Sequence, residues 1–231
     1  MSRFVHLRVH TEFSLVDSVV RIKSMMPAVR SGGMPAVALT DQSNMFALIK
    51  FYRAALANGV KPIVGVDARV TTDAEDATPM VLLAQNNEGY LNLTKLVSRS
   101  YQEGQTTKGA HIEVDWFEGN TDGIIALSGG RFGEIGQALL AGNQDLATER
   151  LKRFMALFPD RFYIELQRTG RPDEERYIQA ALPLAARMSC PVVATNDVRF
   201  IDKKDFEAHE IRTCIQPVSY THLTLPTNRE V

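Results

Sequence analysis

Seven short, almost unbroken apolar runs punctuate this chain, at residues 4–9, 36–40, 61–70, 80–84, 124–127, 162–166 and 191–195. Between most of them the apolar residues shift to helical spacing, over 22–30, 45–58, 88–101, 132–141, 145–158 and 173–188. Runs of that length without alternation suit strands covered on both faces, and helices returning between them suit right-handed crossovers to parallel neighbours. The pattern therefore predicts an α/β chain built as a (β/α) barrel-like sheet with parallel pairing throughout. No Pro/Gly/Ser linker divides it, and 71–78 and 104–109 read as polar loops within one domain.

Composition excludes several classes of function. With 231 residues, 45% hydrophobic and 23% charged, the chain has enough apolar material for a sizeable core. A net charge of −1 gives no bulk attraction to nucleic acid or to a membrane surface. Cys190 and Cys214 are too few for a disulfide framework or a thiolate zinc site, which favours a reducing compartment. With no leader-like opening and no apolar run of spanning length, the expected location is cytoplasmic, away from membranes.

The last fifteen residues, 217–231 (PVSYTHLTLPTNREV), supply no plausible next element and resemble the translation of a transposon-type sequencing adapter. They are set aside as an artefactual tail, so His222 is not counted as a ligand. The expected domain is 1–216, cut short near Gln216.

Chemistry concentrates first in 4–18, FVHLRVHTEFSLVDS, where a β-run empties into His6, Arg8, His10 and Asp17. Histidine, carboxylate and water hold zinc or manganese, whereas a guanidinium stays protonated and offers a cation no lone pair. Other polar residues follow the same placement. Asp41 and Gln42 follow the second run, Asp67 lies late in the third, 128–131 follow the fifth, and Asn196, Asp197 and Arg199 follow the seventh. Carboxyl ends of parallel strands form the functional face of a barrel. For Asp41, Ser43 and Asn44, capping of a following helix is an equally good reading.

Six ordered stretches, HLRVHTEFSLVD, AVALTDQSNMFALIKFY, KPIVGVDARV, LLAQNNEGYLNLTKLVS, GIIALSGGRFGEIG and VVATNDVRFIDKKDFEAHEIR, carry a resemblance covering essentially all of 1–216. The chain resembles the polymerase-and-histidinol-phosphatase (PHP) domain found at the amino terminus of bacterial DNA polymerase III alpha subunits. That resemblance implies a distorted TIM-like (β/α)7 barrel of the PHP type. It also implies a site in which up to nine His, Asp, Glu and Cys side chains hold metal ions that activate water for phosphoester hydrolysis.

Carried over position by position, the implied ligand set is depleted. The family's His-x-His falls on Arg8 and His10, and the acid that follows it on Asp17. The histidine expected after Thr-Asp is Gln42, while the acid of the third motif is kept as Asp67. A histidine is replaced by Pro79, a cysteine by Gly130, and the closing Asp-x-His reads Asp197, Val198, Arg199. His10, Asp17, Asp67 and Asp197 remain as the weak metal candidates. No catalytic metal cluster and no catalytic residue are therefore expected in this chain. Arg8 and Arg199 are expected to pair with the stranded carboxylates, which would otherwise repel one another.

The resemblance further implies that the intact protein is a template-directed DNA polymerase using magnesium at residues outside this chain. The domain itself would be a scaffold for the proofreading exonuclease subunit and other replicase subunits, with DNA engaged by domains absent here. The alternative, an active metal-dependent phosphoesterase that proofreads or cleaves pyrophosphate, calls for histidines at positions 8, 42, 79 and 199. A free-standing histidinol-phosphate phosphatase meets the same obstacle. His6 reads equally as a packed strand histidine or in a polar role, His111 as structural, His209 as a surface or packing contact, and the turn QRTGRPDEE at 167–175 as a capped turn that could also touch a partner.

Overall fold

The computed structural model describes residues 4–15, 17–72 and 77–214, so the tail 217–231 lies outside the described residues. In chain order it contains α1 (Ile22–Ser31), β1 (Ala36–Leu39), α2 (Leu48–Ala57), β2 (Lys61–Thr71), β3 (Thr78–Ala84) and α3 (Asn87–Gln102). There follow the short strands β4 (Gln105–Thr106), β5 (Gly109–Ala110) and β6 (Ile112–Glu113), then β7 (Ile124–Leu127), α4 (Glu134–Leu140) and α5 (Gln144–Leu157). The chain continues through β8 (Phe162–Leu166), α6 (Glu174–Arg187), β9 (Val192–Ala194) and α7 (Phe206–Cys214).

The principal sheet runs β1-β2-β3-β7-β8-β9, with β6 paired to β2, and β4 and β5 form a separate ribbon. It curls into the distorted barrel with helices packed outside. β1 with β2, β7 with β8, and β8 with β9 are parallel as expected. β3 is not: it runs antiparallel to both β2 and β7. The reason is reach, because only residues 72–77 separate β2 from β3, whereas a parallel return needs about a dozen residues.

The first apolar run also departs from expectation. Instead of a continuous strand it makes isolated parallel bridges, His6 to Val37 of β1 and Val9 to Val198 beyond β9. The Ala38 N–H donates to the His6 carbonyl, and the His10 N–H donates to the Val198 carbonyl. Leu7 packs into the barrel interior while Val9 packs against the outer cluster beneath α1 and α2, so period-two alternation is broken there. Broken or not, the run joins the first strand of the sheet to the chain just past the last.

Elsewhere alternation is strict, and it positions the site. On β2, Val66, Ala68 and Val70 face the outer core with Leu93 and Leu96 of α3, which turns Gly65, Asp67 and Arg69 inward. On β8, Phe162 and Ile164 face outward onto Phe154 and Tyr177, leaving Tyr163 and Glu165 inward. Ala38, Val81, Leu83 and Leu127 fill the middle of the barrel. Among the described residues no helix is long and apolar enough to cross a membrane.

Candidate functional site

At the carboxyl ends of the strands, Arg8 is buried among three acids contributed by distant parts of the chain. Its Nε and Nη2 donate to Asp67 Oδ2 at 2.9 and 2.7 Å, and its Nη1 donates to Glu165 Oε2 at 3.3 Å. Asp197 Oδ1 lies 3.8 Å from Arg8 Nε and has no hydrogen-bond partner of its own. His10 is wedged alongside. Its Nδ1 is 3.0 Å from Asp17 Oδ2 and its Nε2 is 2.9 Å from Asp67 Oδ2. A ring facing a carboxylate at each nitrogen satisfies both only as the doubly protonated imidazolium.

Arg199 closes the array on the other side. Its Nε donates to Asp197 Oδ2 at 2.9 Å and its Nη1 donates to the Asp17 carboxylate. Arg171, at the rim, brings a further guanidinium to 3.5 Å from Asp197 Oδ2. Glu165 Oε1 accepts from the Thr195 hydroxyl and from Gln167 Nε2. The cations Arg8, His10, Arg171 and Arg199 thus stand against the anions Asp17, Asp67, Asp197 and Glu165.

The electrostatics follow from that arrangement. Burial alone would drive His10 neutral, yet its hydrogen bonds to Asp17 and Asp67 outweigh burial and raise its pKa to about 9. Burial opposes ionisation of Asp67 too, but the Arg8 charge and the His10 hydrogen bond hold its carboxyl well below the usual range. Asp17 and Asp197 are lowered despite burial, Asp17 chiefly by His10 and Asp197 chiefly by Arg8. Glu165 goes the other way, because burial exceeds what Arg8 returns.

As arranged, these donors do not fit the metal cluster that the resemblance implies. Both His10 nitrogens point at carboxylates, and the oxygens of Asp17, Asp67 and Asp197 face guanidinium groups. Among the described residues no group of three or more His, Cys, Asp and Glu is placed to hold an ion. Arg8 fills the middle with a charge of the same sign as a metal.

The structure brings together Arg8, His10, Asp17, Asp67, Asp197 and Arg199, and leaves Gln42, Pro79 and Gly130 outside the ion pairs. Gln42, Pro79 and Asp67 line the mouth, a cavity of about 420 Å³ that also takes in Arg69, Phe132 and Arg171. Pro79 lies opposite Arg69 in the β2–β3 register. Gly130, at φ +61°, sits near the Gln167 side chain. Asp41 faces away and accepts from the Thr11 N–H at 2.6 Å and the Ser14 hydroxyl at 2.9 Å, so it anchors the turn after the first run. His209 makes a packing contact, its Nε2 reaching the Asp17 carbonyl at 3.0 Å. His111 is buried and His6 packs edge-on against Phe4. Glu165 is the member that sequence reasoning missed. Its signal was present: one acid inside an apolar run, at a position whose parity faces inward.

Comparison with known proteins places this geometry. Residues 6–169 match the PHP domain family. The chain is 53% identical over 214 residues to DNA polymerase III subunit alpha of Pseudomonas aeruginosa, which covers 92% of this chain and 18% of that protein. It is 49% identical over 215 residues to DNA polymerase III subunit alpha of Escherichia coli K12, with the same coverage of 92% and 18%. The chain therefore spans about a fifth of the length of these curated relatives. In fold it is similar to an amidohydrolase from Chromobacterium violaceum, at a TM-score of 0.55 and 13% identity, covering 90% of this chain and 96% of the other.

Proposed function

The chain belongs to the PHP domain family, and from that premise we propose that it is a catalytically silent PHP domain of a replicative DNA polymerase III alpha subunit. The intact protein is then a cytoplasmic, DNA-directed DNA polymerase, a nucleotidyltransferase using magnesium at residues outside this chain. The domain serves it as a scaffold on which the proofreading exonuclease subunit and other replicase subunits assemble. One observation carries the silent-site reading: the buried Arg8 guanidinium bonds Asp67 and Glu165 where a hydrolytic site would need a lone pair. Water activation requires a Lewis acid with an open coordination position, and a network of closed ion pairs supplies none. His10, Asp17, Asp67 and Asp197 are thus vestigial ligands whose present partners are protein cations. The rival reading, a working phosphoesterase, rests on His10, Asp17, Asp67 and Asp197 alone, and these are engaged by one another and by Arg8 and Arg199.

Two measurements on the purified protein test this. Plasma mass spectrometry after dialysis against zinc and manganese is expected to find well under one tightly held ion per chain, with no phosphodiester or pyrophosphate hydrolysis. Two or more ions per chain would overturn the silent site. A pull-down with the exonuclease subunit is expected to recover it, and failure would remove the scaffold role while leaving the silent site standing.

A further inference from the structure

Helix α2 is apolar on two sides. Its inner face, Phe51 and Ala55, is fully buried against α1 and β1. On the outer side Ile49, Tyr52 and Leu56, with Phe46 on the preceding turn, are 64%, 46%, 56% and 64% exposed. Spacings of three, three and four residues place these four in one stripe along the helix. Single exposed apolar residues are ordinary, but a continuous stripe opposite a buried face is the pattern of a helix covered from both sides. At the carboxyl end of α2 the stripe runs into a groove of about 420 Å³ formed with Gly59, Val60, Lys61 and Pro62. This lies at the amino end of β2, away from the ion pairs at the carboxyl ends of the strands.

The charges beside the stripe are mostly positive. Lys50 and Arg53 are the charged residues of α2, both exposed, and Lys61 borders the groove. Glu12 pairs with one of them, its carboxylate 3.9 Å from Lys50 Nζ. A second copy of the chain would bring like charges together across such a face. A helix lying lengthwise in the stripe avoids that repulsion, provided its flanks are acidic.

We propose that the outer face of α2, with the groove at 59–62, is the docking site for an amphipathic helix of a partner protein, with aliphatic residues on its contact face and carboxylates on its flanks. The inference stands apart from the silent-site reading and does not depend on it. It is tested on the full chain with two fluorescein-labelled 18-residue peptides that share a leucine stripe and differ only in carrying Glu or Lys on the flanks. Fluorescence anisotropy is expected to show saturable binding of the Glu peptide, weakened by salt, and at least tenfold weaker binding of the Lys peptide. Ile49→Glu with Leu56→Glu, both at exposed positions, is expected to weaken the Glu peptide at least tenfold while circular dichroism stays unchanged. Equal binding of both peptides, no binding, or no loss in the double variant would overturn the proposal. So would a concentration-dependent dimer in sedimentation that the double variant abolishes, since it would assign the stripe to a second copy.

Discussion

Arg8 binds two buried carboxylates from distant parts of the chain. Its removal leaves Asp67 and Glu165, both buried, facing each other with no cation between them. Breaking a buried pair from one side costs about 3–5 kcal/mol, because the abandoned charge remains desolvated. Arg8→Ala is accordingly expected to lose that much in urea unfolding, and an unchanged midpoint would mean that the guanidinium contributes nothing to the fold. His10 makes a prediction in pH. Its folded pKa of about 9 lies above the ordinary 6.5, so its contribution is complete below about pH 6.5 and is lost as pH rises through about 9. At 1.36 kcal/mol per unit this amounts to about 3 kcal/mol. Asp17, Asp67 and Asp197, held below their ordinary range, act oppositely: their contribution is complete above about pH 4 and fades in acid. Glu165, held high, opposes them and makes the acid limb shallower. Urea midpoints measured from pH 3 to 10 should therefore form a plateau between about pH 4 and 6.5, with a decline from there to about pH 9 that His10→Asn abolishes. Much of this network could be read in the sequence, because Arg8 and Arg199 were expected to pair with Asp17, Asp67 and Asp197, and they do. Glu165 was hidden because membership depends on which way a strand faces, and Asp41 was ambiguous because one short acid can serve a turn or a site.

At the scale of elements, propensity and periodicity carried the reading almost to the boundaries. The predicted helix at 88–101 is α3 (Asn87–Gln102), and the predicted strand at 162–166 is β8 (Phe162–Leu166). Both have one strong stripe or one unbroken apolar run, so local pattern and tertiary demand agree. Direction is where local pattern stops being enough. β3 has the apolar character of its parallel neighbours, and only the six residues at 72–77 reveal that the chain must turn straight back. The two-residue strand β4 and the start of β5 lie where a loop was expected, since pairs such as Gln105–Thr106 are too short to show any period. α2 had its helix recognised and its outer stripe overlooked, because a segment apolar on two sides scores as core until the fold shows that one side faces solvent.

Across the whole molecule, the run at residues 6–10 ties these elements into a ring. Its backbone bonds β1 on one side and Val198 on the other, while Arg8 and His10 reach β2, β8 and the segments at 17 and 197. Ser18 reinforces the seam by donating to the His10 and Arg199 carbonyls, and His209 of α7 reaches the Asp17 carbonyl. These contacts join the beginning of the chain to its far end, so their loop-closure cost is met only when the rest of the sheet is assembled. The outer core between α3, α4, α5 and α6 does not include this run, and it has enough buried apolar residues to collapse without it. Deleting residues 1–11 should therefore separate collapse from closure. Far-UV circular dichroism is expected to stay close to that of the intact chain, while near-UV signal and sharp cooperative unfolding are lost, as in a compact state without fixed packing. Hydrogen exchange should accelerate most in β1 and in 192–199, the two edges that the run joins, and least in α5. Unchanged protection at both edges would mean that the sheet holds its curvature through β1 to β9 alone, and that the ion pairs fasten a ring already closed by packing.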